Sequence, residues 1–288
     1  MTTAGPVLYA LFVWWFSTGL IIWLDNLPAR TFRWSMAGGT LLFAVALWRL
    51  GAGSADATAW GAYTAFTWAV LAWGWHEMAF FMGYVTGTRR TACPAGCGGW
   101  AHFVHGVQAC LWHELAILAT AGVIVWASWG APNQAGTWTF MVLWAGRTSA
   151  KLNFFLGVRN LGEEFLPTQL AYLKSFFKRR RMNPLMPVSI AAGLLWLAAL
   201  AGQARAETDA AAGVGLTFVI TMLTLALIEH VVLVLPLPFA KLWGWAVTER
   251  RAAGRDALLI APKTGCTAGC DAHIKNHVEA GDAGAAAT

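Results

Sequence analysis

Charge is what this chain has least of. Only 12% of its 288 residues are Asp, Glu, Lys or Arg, about half the roughly 25% of a soluble domain. With 58% hydrophobic residues and a mean hydropathy of +0.54, the chain reads as an integral membrane protein. Cysteine is scarce too: five residues, unevenly placed, exclude a disulfide scaffold. The sequence contains no G-x-x-x-x-G-K-[ST], no G-x-G-x-x-G after a strand and no G-x-S-x-G. The nucleotide-binding and serine-hydrolase readings that depend on those motifs fall away. Met1 to Pro6 lack the basic n-region of a cleavable signal peptide, so the first apolar run is expected to act as its own insertion signal.

What is plentiful is apolar length. A helix needs about 20 residues to cross the hydrocarbon core. Seven stretches qualify, at roughly 7–24, 35–50, 60–84, 100–129, 136–157, 187–203 and 214–238. The expected fold class is all-α, a polytopic membrane bundle of about seven transmembrane helices. Lys and Arg set its orientation. With the N-terminus outside and the spans alternating, the inner side holds sixteen of the 20 basic residues. These are Arg30 and Arg33, Arg89 and Arg90, the six from Arg159 to Arg181, and the six from Lys241 to Lys275. The outer side holds only Arg49 and Arg205, while Arg147 and Lys151 fall within the fifth span. This split predicts N-out and C-in. It also makes the net charge of +6 a topology signal, so no nucleic-acid partner is expected.

Eighteen Trp is a high count, and many mark span ends as an aromatic belt would: Trp14, Trp15, Trp23, Trp34, Trp126, Trp129, Trp243 and Trp245. Trp68, Trp73, Trp75, Trp112 and Trp144 lie inside spans, where packing and lipid contact are simpler roles than holding a pigment or quinone. Residues 1–250 form the expected bundle domain, with the lipid bilayer as its first partner. Residues 251–288 are Ala- and Gly-rich and polar, and read as a flexible cytoplasmic tail. In the large loop at 158–186, apolar and basic residues alternate at helical spacing through Leu170 to Lys178. That pattern predicts an amphipathic helix on the inner leaflet. Its membrane-surface residues would be Lys174, Lys178, Arg179, Arg180 and Arg181, each worth around 1 kcal/mol against anionic headgroups.

The chemistry gathers at three acid–imidazole pairs near the middle of spans: His76-Glu77, His113-Glu114 and Glu229-His230. A charged side chain at the bilayer centre costs on the order of 2.5–3.5 kcal/mol on insertion scales, so such groups face a bundle interior. Arg147 and Lys151 lie four residues apart, on one helix face, at comparable depth. All eight are expected to converge on one interior cluster. Two readings stay open: the cations pair with Glu77, Glu114 or Glu229 purely to hold the bundle, or the cluster binds a ligand.

A metal site is the sharper variant of the second. His76, His113, Glu114, Glu229 and His230 are the ligand types of non-haem iron, manganese or zinc. Adjacent residues point about 100° apart on a helix, unlike the Glu-x-x-His of di-iron bundles, so one member of each pair would ligate. A histidine as axial ligand to a tetrapyrrole is a further option. A membrane-embedded metal-dependent oxidoreductase acting on a tetrapyrrole or isoprenoid is thus the enzymatic alternative. A transporter with a proton path is another, disfavoured by the lack of an internal repeat.

Two cysteine pairs stand apart. Cys93 and Cys97 precede His102 and His105, and Cys266 and Cys270 precede His273 and His277. The first set superficially resembles zinc ligands, yet its spacing fits no common zinc motif, and solvated loop thiols are the simpler reading. Cys110 reads as a small buried apolar residue.

Several of these residues fall in longer motifs. The first is His76-Glu77-Met78-Ala79-Phe80-Phe81-Met82-Gly83-Tyr84-Val85-Thr86-Gly87 with Arg89-Arg90. The second is Arg147-Thr148-Ser149-Ala150-Lys151-Leu152-Asn153, followed by Glu164-Phe165-Leu166-Pro167 and Met182-Asn183-Pro184-Leu185. Together, over about residues 7–245, they resemble the photosynthetic complex assembly PuhE family of purple phototrophic bacteria. The resemblance implies a multispan protein of the photosynthetic inner membrane. It implies work in assembling the reaction centre and antenna, or in modulating bacteriochlorophyll supply. Reaction-centre or antenna subunits and pigment-synthesis enzymes would then be partners. Bacteriochlorophyll or a precursor, a quinone, or a non-haem metal would be the bound group. The resemblance draws Asn153 into the candidate polar site and does not reach the tail beyond about 250.

Overall fold

The computed structural model describes residues 3–163, 166–235 and Trp243. The expected tail at 251–288, the Cys266 and Cys270 group, Trp245, Glu164-Phe165 and the end of the seventh stretch all lie outside the described residues. The described chain belongs to one compact unit within Met1–Val247. It is all-helical, with no strand among the described residues beyond an isolated bridge between Val158 and Arg179.

Seven α-helices follow in order: α1 Ala4–Asn26, α2 Phe32–Ala52, α3 Ala59–Phe81, α4 Gly99–Ala127, α5 Ala135–Leu156, α6 Leu185–Ala206 and α7 Ala210–Val234. Each agrees with an expected stretch to within a few residues. The second and sixth stretches, which looked short, run to 21 and 22 residues. Five helices, α1, α2, α4, α6 and α7, lie in segments long and apolar enough on their own to cross a membrane. The other two, α3 and α5, are of similar length, 23 and 22 residues. They carry four of the ionisable cluster residues, and the rest of the bundle shields them. α3 packs against α1, α2, α4, α5 and α7; α5 packs against α3, α4, α6 and α7.

The sequence of α3 explains its central place. Ala62, Phe66, Ala69, Trp73, His76 and Phe80 recur at alternating steps of four and three, and all are buried. That spacing is the a/d seam of a helix enclosed by others, and small residues on it let neighbouring backbones approach. Phe66 stacks on Phe218 of α7 with ring centroids 4.4 Å apart, and Tyr9 of α1 and Tyr63 close round them. At the ends, Trp34, Trp126 and Trp129 remain at least 70% exposed, as belt residues should be.

Local signals start and stop these helices. Thr58 caps α3 by accepting from the Gly61 amide at 3.0 Å, and Asp209 caps α7 through the amides of Ala211 and Ala212. α3 ends where Gly83 takes φ +80°, a left-handed conformation that suits glycine, and the Tyr84 amide reaches back to the Ala79 carbonyl. The chain then crosses α4. Gly87 lies so close to the Gln108 carbonyl that any Cβ would collide with it. The Arg89 amide donates to the same carbonyl, and the His113 amide donates to Thr86 at 2.8 Å.

The loop at 158–186 differs from expectation in helix type and in what its apolar stripe meets. Thr168–Phe176 is a 3-10 helix, and its Leu170, Leu173 and Phe176 are buried against Phe80 and Ala109. At three residues per turn, i, i+3 and i+6 share one face, so the apolar stripe read from the sequence is real. It covers the foot of the bundle, where α3, α5 and α7 finish. Lys174, Arg179, Arg180 and Arg181 stay exposed, while Lys178 is half-buried with its ammonium 5.3 Å from the Phe155 ring centroid. Arg179 pairs with Glu163 at 2.9 Å.

Candidate functional site: a polar layer on α3, α4, α5 and α7

His76, Lys151 and Glu229 each lie five residues before the end of their helices, about 7.5 Å along the axis. They share one layer of the bundle. Within it each acid–imidazole pair divides. His76 and His113 turn into the seams of α3 and α4 and are each only 1% exposed. Their carboxylate neighbours, rotated by about 100°, reach the cations of α5 instead. Arg147 Nε donates to Glu77 Oε1 at 3.1 Å, and the Lys151 ammonium donates to Glu114. The same cations lie near the last aromatic rings of α3: Arg147 is 5.8 Å from the Phe81 centroid and Lys151 is 5.9 Å from that of Phe80. α5 thus ties α3 to α4 through charge.

The third pair joins from α7. His230 Nε2 lies 2.8 Å from Ser149 Oγ on α5, and Nδ1 lies 2.7 Å from the Ala226 carbonyl. Glu229, half-buried, lies within electrostatic reach of Arg147 and Glu77 and beside Trp14 of α1. Trp14 read as a belt residue from sequence alone; no motif pointed to its contact with Glu229. Ion pairs, ring contacts and electrostatic interactions thus link the three acid–imidazole pairs, Arg147 and Lys151 across α3, α4, α5 and α7.

Asn153 does not belong to that layer's charge network. It is fully buried and accepts from Asn183 Nδ2 at 3.0 Å, and Asn183 in turn caps α6 through the amides of Leu185 and Met186. It is a latch between α5 and α6. Asn183-Pro184 in the sequence signals a helix start, but nothing in it named Asn153 as the partner.

The two imidazoles at the centre are the unusual feature. His76 Nε2 lies 3.0 Å from Thr120 Oγ1, but His76 Nδ1 and both ring nitrogens of His113 have no hydrogen-bond partner among the described residues. The rings stand 6.4 Å apart at 79°. Phe80 lies 4.5 Å from His113, while Trp73, Trp75, Phe43 and Phe140 surround His76. A buried polar atom left unpaired costs about 1–3 kcal/mol and in a native protein calls for an explanation. As metal ligands the set is unbalanced. Glu77 and Glu114, the carboxylates a di-iron-like centre would need, are held by cations that a metal would have to displace. Neither imidazole meets a carboxylate, and His113 keeps both ring nitrogens, and His76 one, unengaged among the described residues.

Two other places hold polar groups. A cavity of about 660 Å³ opens at the opposite end, lined in part by Asp56, Gln134, Trp138, Glu207 and Asp209. Its acids are occupied locally. Thr58 donates to Asp56 through both its amide and its hydroxyl and holds that carboxyl below its usual range. Asp209 is a helix cap, and Glu207 accepts from the amides of Thr208 and Asp209. At the foot, Cys93 and Cys97 are half-buried and not loose in solvent, and both thiols meet histidines of α4. Burial pushes the Cys93 thiol up from its ordinary range, and Cys97 adds to the effect.

A Rhodobacter capsulatus protein described as "Uncharacterized 30.4 kDa protein in puhA 5'region" is 41% identical over 244 residues, covering 83% of this chain and 88% of that protein. No solved structure matches the chain significantly. The family described as "Protein of unknown function (DUF3623)" matches residues 1–254, which include every described helix and the whole polar layer, and the chain belongs to that family.

Proposed function

We propose that this protein is a factor for assembling photosynthetic complexes, seated in the inner membrane by seven spans with the N-terminus outside. Its polar layer would hold a ring-shaped ligand, a tetrapyrrole pigment, its precursor or a quinone, against His76 and His113. Reaction-centre or antenna subunits, or pigment-synthesis enzymes, would be the partners. The observation that carries the ligand reading is His113: enclosed, aromatic-lined and with neither ring nitrogen bonded. An imidazole kept in that state suits a metallated ring or a quinone carbonyl, each of which supplies the missing partner. The process is supported by the resemblance to the PuhE family and by the relative's place in a puhA 5' region. The sixteen-to-two distribution of basic residues supports the topology.

The test is to replace His113 with Leu in the full-length protein. Membrane abundance is expected to hold while reaction-centre and antenna absorbance falls and any co-purifying pigment or quinone is lost. Normal absorbance with normal abundance would refute a ligand role for this layer. Reporter fusions within 158–186 are expected to report the cytoplasm, and a periplasmic signal there would overturn the topology.

A further inference from the structure

The foot of the bundle carries a second, independent set of donors. The Cys93–Cys97 segment turns back on itself: the Cys97 amide donates to the Pro94 carbonyl at 3.1 Å, and Gly96 between them takes φ +77°. This turn brings both thiols over the first turns of α4, where His102 and His105, three residues apart, share a face. Cys93 Sγ lies 3.2 Å from His102 Nδ1 and 3.5 Å from His105 Nδ1, and Cys97 Sγ lies 3.3 Å from His105 Nδ1. The donor atoms of Cys93, Cys97 and His102 all fall within 4.8 Å of one another.

Simple thiol–imidazole hydrogen bonds account poorly for this. One nitrogen, His105 Nδ1, faces two sulfurs, and one sulfur, that of Cys93, faces two nitrogens. Convergence on a common point is what a cation imposes. In a tetrahedral zinc site with Zn–S near 2.3 Å and Zn–N near 2.0–2.1 Å, neighbouring sulfur and nitrogen donors stand about 3.5 Å apart. The three sulfur–nitrogen distances here are close to that edge. We infer that Cys93, Cys97, His102 and His105 bind one zinc ion.

The surroundings suit such an ion. His102 is buried, its ring 5.0 Å from Phe155 and 5.6 Å from Phe176, so its orientation is fixed by packing. The Cys93 amide donates to Ser175 Oγ at 2.9 Å, which ties the thiol loop to the 3-10 helix. Two thiolates neutralise a divalent ion, so the assembled centre carries no net charge beside the apolar group of Phe80, Leu170, Leu173 and Phe176. With four protein ligands it has no open position, which marks a structural site and not a catalytic one. The ion would staple the connection between α3 and α4 to the foot, on the side that the basic residues assign to the cytoplasm, where thiols stay reduced. The spacing C-x3-C-x4-H-x2-H matches no common zinc motif, because the fold brings the ligands together and the local sequence does not.

The experiment is metal analysis of the full-length protein purified in detergent without added chelator. About one zinc per chain is expected, falling to near none in Cys93→Ser with Cys97→Ser and unchanged in Cys266→Ser with Cys270→Ser. Should the first double variant fail to accumulate, cobalt exchange into the wild type decides the matter. A tetrahedral cobalt–thiolate spectrum that loses its sulfur charge-transfer band in Cys97→Ser alone supports the site. Three results would overturn it: wild type without stoichiometric zinc and without that cobalt spectrum; zinc that leaves with Cys266 and Cys270 instead; or a Cys93–Cys97 disulfide in protein alkylated within intact cells.

Discussion

His102 and His113 sit on one helix, eleven residues or about 16 Å apart, and meet opposite surroundings. At the foot, His102 faces a thiol and is held between two Phe rings. In the polar layer, His113 lies against Phe80 and near His76, with no hydrogen bond to its ring. Neither imidazole is paired with a carboxylate, although His113 has Glu114 beside it in sequence. The difference shows how a helix separates neighbours. Adjacent side chains diverge by about 100°, so the imidazole enters the seam and the carboxylate reaches the lysine of α5. Two ion pairs lie on one flank of the layer, and the imidazoles without a full set of partners lie on the other.

The largest effect is expected where that balance is broken. Arg147 serves both Glu77, at 3.1 Å, and the field of Glu229. Arg147→Met would leave two carboxylates without their cation in a low-dielectric setting. Removing one partner of a fully buried pair costs about 3–5 kcal/mol, comparable to a small protein's whole stability, and this part-buried pair should approach the lower end of that range. Membrane abundance and thermal unfolding in detergent should both fall sharply, and adding Glu77→Gln should restore part of the loss. A mild effect, with no rescue, would mean that the layer is not a charge balance and that the contrast between its two flanks is unfounded.

A smaller effect, but of opposite sign at the two sites, sharpens the comparison directly. His113→Leu removes an unpaired buried imidazole and replaces it with an apolar side chain of similar size. Relief of the unpaired group is worth about 1–3 kcal/mol, so unfolding temperature should hold or rise. His102→Leu removes a donor that is engaged with Cys93 and should lower it. Equal destabilisation by both would show that His113 has a partner in the resting protein and would remove the main support for a ligand there.

The fold was largely legible because membrane helices announce themselves by length and apolar composition. Convergence of His76, His113, Arg147 and Lys151 was legible for a related reason: ionisable groups at one depth in an apolar bundle have only one another to turn to. Three things were not legible. The stripe of Leu170, Leu173 and Phe176 fits a surface helix and a docked 3-10 helix equally well until its cover is known. Asn153 carries no sign that Asn183, thirty residues on, is its partner. The Cys93 group was obscured by its spacing, since the turn at Gly96 and the crossing of α4 at Gly87 bring the thiols to the histidines.

The smallest stability effect is expected at Glu229, and it tests whether α7 belongs to the charged flank or to the ligand flank. Glu229→Gln removes a charge but keeps the size and an acceptor oxygen on the side of Trp14. Arg147 retains Glu77, so no cation is stranded, and the change should stay within about 1 kcal/mol, well below the loss from breaking a buried pair. Abundance in the membrane should therefore be normal. If Glu229 only shares in the charge balance, reaction-centre and antenna absorbance should be normal as well, in contrast to His113→Leu. If absorbance falls while abundance holds, Glu229 faces the ligand, and the functional surface extends from His113 across the layer to α7. A fall in abundance itself would contradict both assignments, because it would make Glu229 and not Glu77 the principal partner of Arg147.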